Sequence, residues 1–100
     1  LKNPSFGQQP DVNDGWYANG WTPSPGHDLV RNEAEHPRLE RYVKDLLSAH
    51  RADARILLWD LYNEPGNSEL NVVSMPLLKK VFAWARELDP VQPITSGLWN

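Results

Sequence analysis

The sequence predicts an α/β fold whose strands run parallel. Two amphipathic segments with helical periodicity, at residues 37–50 and 76–89, alternate with two short apolar runs at residues 55–63 and 93–99. Strands that alternate with helices of this length are typical of βαβ units around a parallel sheet. No apolar stretch approaches the roughly 18 residues that a membrane-spanning helix requires, so none is predicted.

Residues 1–31 are predicted to form a long functional loop. They are rich in Gly and Pro, and they carry the aromatic residues Trp16, Tyr17 and Trp21. A loop of this length inside a compact domain usually has a function of its own. The aromatic side chains have two open roles, which are stacking on a ligand or plugging the loop onto the body of the protein.

The first helix is predicted at residues 37–50. One stripe of apolar side chains, spaced i, i+3, i+4, i+7 and i+8, runs along it: Leu39, Tyr42, Val43, Leu46 and Leu47. Pro37 suits the first helical turn. Glu40 and Lys44 have the spacing of an i, i+4 ion pair on the outer face.

Residues 55–63 are predicted to be a strand buried on both faces, because residues 56–62 are apolar at both odd and even positions apart from Asp60. Pro65 and Gly66 end the strand, since proline cannot donate to the ladder and glycine favours a turn. Asn63 and Glu64 therefore lie at its carboxyl end, where binding sites of parallel sheets are found. Asp60 and Tyr62 share the parity of Glu64 and are expected to face the same interior.

The second helix is predicted at residues 76–89, with Pro76 in its first turn and Asp89-Pro90 as its stop. Residues 93–99 then form another short buried strand that ends at Trp99. Two strands with unpaired edges and two half-covered helices do not make a complete core. We therefore expect that the chain is not an autonomous domain.

Composition excludes several classes of function. The net charge is −3, with Lys and Arg interleaved among acids, which argues against nucleic acid as a partner. The chain has no cysteine, so a disulfide scaffold and thiolate metal sites are excluded. His27, His36 and His50 lack metal-ligand spacing on one face, and solvated or capping roles are predicted for them. No phosphate-binding loop or serine-nucleophile elbow occurs, and no metal or other cofactor is expected.

Longer motifs carry a resemblance to a known group of enzymes. The run Arg55-Ile-Leu-Leu-Trp-Asp-Leu-Tyr-Asn-Glu-Pro-Gly-Asn67 resembles the fourth-strand signature of clan A glycoside hydrolases, in particular cellulase-like members of family 5 and the barrel domains of family 2. Trp84-Ala-Arg-Glu-Leu-Asp-Pro90 and Pro93-Ile-Thr-Ser-Gly-Leu-Trp99 look like the fourth helix and fifth strand of that family. Asn19-Gly-Trp-Thr-Pro-Ser-Pro-Gly26 is similar to the loop after the third strand in uncharacterised bacterial members.

This resemblance covers nearly the whole chain. It implies a fragment of a (β/α)8 TIM barrel, from about the loop after the third strand through the fifth strand. A complete barrel needs roughly 250 residues, and this chain has 100. The first residue is Leu1 rather than Met, and the chain stops directly after an apolar run, so we expect that it is incomplete.

The resemblance also implies a function, namely retaining hydrolysis of β-linked sugars in a polysaccharide or oligosaccharide. In the family, the Glu of Asn-Glu-Pro is the general acid/base and the Asn binds the sugar 2-hydroxyl, and these roles carry over to Glu64 and Asn63. Retention needs a second carboxyl group about 5 to 5.5 Å away. The family supplies it at the end of the seventh strand, outside these residues, so the remainder of the barrel is required. Trp16, Trp21 and Trp99 are candidate sugar contacts.

Two other hypotheses stay open. One is a non-catalytic carbohydrate-binding barrel or module that holds a glycan with Trp16, Tyr17 and Trp21. The other is an unrelated α/β protein in which Asn63-Glu64-Pro65 is a simple turn. The choice among glucan, mannan, xylan and galactoside depends on residues of other strands. Secretion or a periplasmic location in a bacterium is expected by analogy with the family alone.

Overall fold

The computed structural model describes residues 4, 6–8 and 22–99. Within them, helices and short strands follow in the order α1 (His27–Arg31), α2 (His36–His50), β1 (Trp59–Asp60), α3 (Met75–Leu88) and β2 (Ile94–Thr95). Short 3-10 turns at Glu33–Glu35 and Asn71–Ser74 lead into α2 and α3. The aromatic residues Trp16, Tyr17 and Trp21 lie outside the described residues.

The two long helices lie within one residue of their predicted bounds. α2 begins at His36 instead of residue 37, and α3 runs from Met75 to Leu88 instead of from 76 to 89. Each has its proline in the first turn. Asp89 ends α3 in the left-handed region, with φ 47°, and its N–H donates to the Arg86 carbonyl at 3.2 Å.

A cluster of charges joins the outer faces of these two helices. The predicted pair is confirmed, with Lys44 Nζ 2.6 Å from Glu40 Oε1. The same ammonium also pairs with Glu87 of α3. Both acids hold the pKa of Lys44 above its usual range, mainly by hydrogen bonding to the ammonium.

The prediction of an unstructured loop over residues 1–31 is wrong for its last five residues, which form α1. The Val30 N–H donates to the Gly26 carbonyl at 3.2 Å, and the Asn32 N–H donates to the Asp28 carbonyl at 3.0 Å. The Val30 side chain is 4% exposed. A helix this short shows no periodic stripe and gains little from propensity, so tertiary burial is what holds it.

The prediction of a solvated or capping role for His36 is also wrong, because this residue is buried. Its Nδ1 lies 3.0 Å from Lys80 Nζ and its Nε2 lies 3.3 Å from the Val30 carbonyl oxygen. An ammonium can only donate, so Nδ1 accepts and the Nε2–H donates to Val30. Lys80 also pairs with Glu33 at 2.7 Å and holds the pKa of that carboxyl below its usual value. Through these hydrogen bonds and this ion pair, His36 and Lys80 connect α1 to α3.

The core lies where α1, α2 and α3 meet beside β1. Its buried members come from α1, the turn before α3 and α3 itself: Val30, Leu70, Leu77, Val81 and Trp84. Partly buried side chains of α2, α3 and the β1 segment pack around them: Leu39, Val43, Leu61, Tyr62 and Phe82. Trp84 is a packing residue of this core, since 7% of it is exposed. No helix of the described part is long and apolar enough to cross a bilayer.

β1 and β2 pair in parallel, as predicted, with Trp59 opposite Ile94 and Asp60 opposite Thr95. The Trp59 N–H donates to the Pro93 carbonyl at 2.9 Å and the Leu61 N–H donates to Thr95 at 3.0 Å. The predicted spans 55–63 and 93–99 are longer than the observed ladder. Arg55 still belongs to a turn, in which its backbone N–H and guanidinium both donate to the Asp53 carboxylate.

The prediction of burial on both faces is wrong for the middle of this strand segment. Leu57 is 85% exposed and Leu58 is 46% exposed. Among the described residues β1 pairs with β2 alone, and both side chains precede the paired residues Trp59 and Asp60. Trp59 is half-buried, as a residue between strand and helix layers would be.

Gln92 connects the strand segments to the end of α2. Its side chain is buried, and its Oε1 accepts from Trp59 Nε1 at 3.0 Å. Its Nε2 donates to the Asp53 carbonyl at 2.8 Å and the His50 carbonyl at 3.2 Å. One amide thus satisfies three groups at the end opposite the carboxyl ends of the strands.

Candidate functional site

A cavity of about 290 Å³ lies at the carboxyl end of β1, between the loop that follows this strand and α1. One wall is formed by residues 22–26 with His27 and Val30. The rest of the lining comes from the segment after β1: Tyr62, Asn63, Glu64, Asn67, Ser68 and Leu70. We call this space the Glu64 cavity. It brings Asn63 and Glu64, the two polar residues predicted at the strand end, to one surface.

The backbone of Glu64 is held in an unusual conformation. Its φ of 51° lies in the left-handed region, which costs a non-glycine residue roughly 1 to 2 kcal/mol. Its N–H donates to the Gly97 carbonyl at 2.9 Å, and its carbonyl accepts from the Asn67 N–H at 3.1 Å. These two hydrogen bonds hold the residue in this conformation. Strained residues that their surroundings hold in place cluster at functional sites.

The Glu64 side chain is half-buried and oriented by a neighbouring amide. Its Oε2 accepts from Asn67 Nδ2 at 2.8 Å. The Asn67 Oδ1 in turn accepts from the backbone N–H and the hydroxyl of Ser68. No residue of the described part donates to Glu64 Oε1. Within the described part, one carboxyl oxygen is therefore positioned by the protein and the other carries no hydrogen bond.

The loop after Glu64 is compact and repeatedly left-handed. Four of its positions have φ between 44° and 95°: Gly66, Ser68, Glu69 and Asn71. The Leu70 N–H donates to the Asn67 carbonyl at 3.2 Å, and the Asn71 N–H donates to the Gly66 carbonyl at 3.0 Å. Leu70 is 5% exposed and belongs to the core. The loop that carries the cavity wall is thus anchored by burial at its far end.

Asn63 is exposed and lies over Gly97. A Cβ at position 97 would lie 2.7 Å from Asn63 Oδ1 and 3.3 Å from Asp60 Oδ2. The Asp60 Oδ1 accepts from the Gly97 N–H and from the Tyr62 N–H, each at 3.3 Å. The absence of a Cβ at Gly97 leaves room for the Asn63 and Asp60 side chains at the end of β2.

Asp60 and Tyr62 do not share one environment. Tyr62 lines the Glu64 cavity, whereas Asp60 is exposed and does not line it. The Tyr62 hydroxyl oxygen is buried and has no hydrogen-bond partner among the described residues. Burial raises the pKa of this phenol, because the phenolate would lose its hydration. The Tyr62 ring is therefore a neutral surface of the cavity.

His27 and Asn67 are members of the site that the sequence pattern does not identify. His27 is predicted to be solvated or capping, yet it is half-buried and lines the cavity. No local signal marks it, because its place follows from the packing of α1. Asn67 has a weak local signal, since an amide three residues after Glu64 within a Pro-Gly turn can reach back to the carboxyl group.

Of the remaining candidates, Trp99 alone falls within the described residues. Trp99 is 53% exposed and does not line the Glu64 cavity, and Trp16 and Trp21 lie outside the described residues. Among the described residues, Glu64 contributes the one carboxyl group of the lining. No group of three His, Asp or Glu residues in that part of the chain could hold a metal ion. The described site thus offers proton transfer and hydrogen bonding.

Comparison with known proteins identifies no relative of this chain. A scan of protein-family models and searches of curated proteins and of solved structures found no significant match to this chain.

Proposed function

We propose that this chain is part of a retaining β-glycoside hydrolase in which Glu64 is the general acid/base. The observation that carries the proposal is the place of Glu64, at the carboxyl end of a parallel strand, beside Asn63 and on the wall of a cavity of about 290 Å³. In α/β folds with parallel strands this is where catalytic side chains lie. The motif resemblance points to the same residue.

Glu64 then acts in two proton transfers. In the first, Glu64 Oε1 gives its proton to the glycosidic oxygen as the bond from that oxygen to the anomeric carbon breaks. A second carboxylate, from a residue outside this chain, attacks the anomeric carbon and forms a glycosyl-enzyme ester. In the second, the Glu64 carboxylate takes a proton from water as the water oxygen attacks the anomeric carbon and releases the second carboxylate.

The hydrogen bonds of Glu64 suit this role. Asn67 holds Oε2 at 2.8 Å and so fixes the plane of the carboxyl group, which leaves Oε1 for the substrate. General acid catalysis depends on such positioning, because the donor must lie within hydrogen-bond reach of the leaving oxygen. Asn63, next in sequence and on the same wall, is proposed to hold the 2-hydroxyl of the sugar whose bond is broken.

A (β/α)8 barrel that extends beyond these residues is part of the same proposal. Leu57, Leu58 and Leu98 are 85%, 46% and 84% exposed and lie in or beside the strand segments. Neighbouring parallel strands and helices would bury such side chains. The second carboxyl group that retention requires would come from one of those strands.

The test is Glu64→Ala in the complete protein, assayed on one activated aryl glycoside and one oligosaccharide. With 2,4-dinitrophenyl glycoside, whose leaving group needs no proton, the first step should stay fast and azide should restore turnover by forming the glycosyl azide. With an unactivated oligosaccharide, kcat/KM should fall by about 10²- to 10⁴-fold, the usual range for general acid catalysis. Glu69→Ala is the matched control, because Glu69 is exposed, lies in the same loop and does not line the cavity.

Two results would contradict the assignment. One is an equal loss on both substrates with no azide rescue, which would show that Glu64 does not transfer the proton. The other is binding of β-linked oligosaccharide by the unmutated protein without any turnover. That result would favour the alternative of a non-catalytic carbohydrate-binding barrel.

A further inference from the structure

The hydrogen-bond ladder between β1 and β2 is irregular at its carboxyl end. Up to Leu61, whose N–H donates to the Thr95 carbonyl at 3.0 Å, the bonded partners advance by two residues on each strand. The same register would next bring the Asn63 N–H to the Gly97 carbonyl. The Glu64 N–H donates to that carbonyl instead, at 2.9 Å. The β1 segment therefore contains one extra residue before Glu64, as a bulged strand does.

The Asp60 side chain bonds to both segments where the ladder changes. Its Oδ1 accepts from the Gly97 N–H and from the Tyr62 N–H, each at 3.3 Å. In a regular parallel ladder the Gly97 N–H would donate to the Leu61 carbonyl. The bond to Tyr62 closes a short turn, because an aspartate side chain can accept from the backbone N–H two residues on. One carboxyl oxygen thus joins the β1 and β2 segments beside the extra residue.

Gly97 connects Asp60 to Glu64. Its N–H donates to the Asp60 carboxylate, and its carbonyl accepts from the Glu64 N–H. The Ser96 hydroxyl donates to the Tyr62 carbonyl and joins the same two segments. Glu64 has a φ of 51°, and a residue keeps such a conformation only where its surroundings hold it. The position of the Gly97 backbone is therefore a condition for the position of Glu64.

An aspartate is unusual inside an apolar strand segment. Residues 56–62 are apolar apart from Asp60, and aspartate is depleted in strands because its side chain competes for backbone hydrogen bonds. No Lys or Arg side chain of the described part forms an ion pair with it. The bonds of Asp60 to the two backbone N–H groups are therefore its contribution to this part of the structure.

We infer that Asp60 is a positioning residue for Glu64. It fixes the Gly97 backbone, whose carbonyl holds the Glu64 N–H, and so keeps the Glu64 carboxyl group where it can reach the glycosidic oxygen. The inference rests on the proposed function, in which Glu64 is the general acid/base. Asp60 itself does not line the Glu64 cavity, so its effect passes through the backbone. This effect requires the place of its oxygen rather than its charge.

Crystal structures of variants of the complete protein test the positioning without any assay of turnover. In Asp60→Ala the hydrogen bond from the Glu64 N–H to the Gly97 carbonyl should be lost. Asp60→Asn keeps an oxygen acceptor in the same place, so this bond should be retained. An Asp60→Ala structure in which Glu64 keeps this bond and its left-handed conformation would overturn the inference.

Activity measurements test the consequence for proton transfer. Asp60→Ala should lower kcat/KM on an unactivated β-linked oligosaccharide about 10-fold, because displacements below 1 Å have effects of about this size. On 2,4-dinitrophenyl glycoside, kcat/KM reports a first step that needs no proton, and it should change by less than about twofold. Asp45→Ala, at an exposed aspartate of α2, is the matched control. Equal losses on both substrates would overturn the inference.

Two conservative variants separate the place of the oxygen from the charge. Asp60→Asn should recover most of the lost activity, because it keeps the acceptor without the charge. Asp60→Glu keeps the charge but moves the oxygen by one methylene group, so it should not recover the activity. Recovery by Asp60→Glu and not by Asp60→Asn would show that the charge matters and would overturn the positioning role. Thermal unfolding of each variant is the control for folding.

A double-mutant cycle separates this inference from the proposed function. In the Glu64→Ala background, Asp60→Ala should cost less than about twofold, since the side chain through which it acts is gone. A further loss of about 10-fold in that background would overturn the inference even when the azide experiment succeeds. Loss of the Glu64 bond to Gly97 in Asp60→Ala, in a protein without any turnover, would support the positioning and refute the hydrolase.

Discussion

A single methyl group at position 97 should displace Asn63 and leave the Glu64 carboxyl group in place. In Gly97→Ala the new Cβ would lie 2.7 Å from Asn63 Oδ1 and 3.3 Å from Asp60 Oδ2. The first distance is about 0.7 Å shorter than ordinary van der Waals contact, so the Asn63 amide must move by that amount. The Gly97 carbonyl accepts a hydrogen bond from the Glu64 N–H at 2.9 Å. The substitution keeps this carbonyl group.

The magnitude follows from how steeply catalysis depends on position. A displacement of 1 Å costs about 10²-fold in rate, so a shift near 0.7 Å should lower kcat/KM by about 10- to 50-fold. This corresponds to roughly 1.4 to 2.3 kcal/mol of lost transition-state stabilisation. Stability should change little, because the backbone at Gly97 does not require glycine by its φ and alanine lowers the entropy of the unfolded chain.

A double-mutant cycle with Asn63→Ala isolates the mechanism. Once Asn63 Oδ1 is gone, the Cβ at position 97 no longer meets the atom at 2.7 Å, and Gly97→Ala should then cost less than about threefold. For all four proteins of the cycle, kcat/KM is measured on 4-nitrophenyl glycoside in the complete protein. Thermal unfolding of each protein is the control for folding. An activity of Gly97→Ala within twofold of the unmutated protein would refute the reasoning. A loss of the same size in the Asn63→Ala background would refute it as well.

Two further predictions concern the frame around the site. Gln92→Leu leaves the Trp59 indole N–H and the His50 and Asp53 carbonyls without their buried partner, so the free energy of unfolding should fall by about 3 kcal/mol in urea titration. Val91→Ala, at a 74% exposed neighbour, should change it by less than about 0.5 kcal/mol, and equal effects would contradict the assigned role of Gln92. Burial raises the pKa of Tyr62. The neutral phenol therefore contributes to the stability of the folded state, in full at pH values below the unfolded pKa of about 10. This contribution is lost as the pH rises through the pKa of the folded state. Absorbance at 295 nm is titrated against pH for the unmutated protein and for Tyr62→Phe, and the second curve is subtracted from the first. The difference curve should have its midpoint above pH 10, and a midpoint at or below pH 10 would count against burial of Tyr62.

Some of the fold follows from the sequence because it depends on local periodicity. The apolar stripes of α2 and α3 and the prolines in their first turns place both helices within one residue. The parallel pairing of β1 with β2 follows from the intervening helix, since parallel strands need a long crossover. The place of Glu64 directly after an apolar strand segment is equally a property of chain order.

Other features depend on which segments meet, and local pattern does not encode that. α1 is too short to show a stripe and exists because Val30 is buried. His36 has the sequence context of a solvated helix start, but packing buries it between the Val30 carbonyl and Lys80. The extent of the strands depends on partners, which is why the ladder is shorter than the apolar runs.

The same division applies to the candidate site. The sequence by itself determines that a carboxyl group and an amide, Glu64 and Asn63, end an apolar strand before a Pro-Gly turn. Only the tertiary structure decides that His27 lines one cavity with them, and that Gly97 leaves room for Asn63. The physical reason is that propensity and periodicity act between residues a few positions apart. A cavity is instead made by side chains distant in sequence, whose meeting is set by burial of the core.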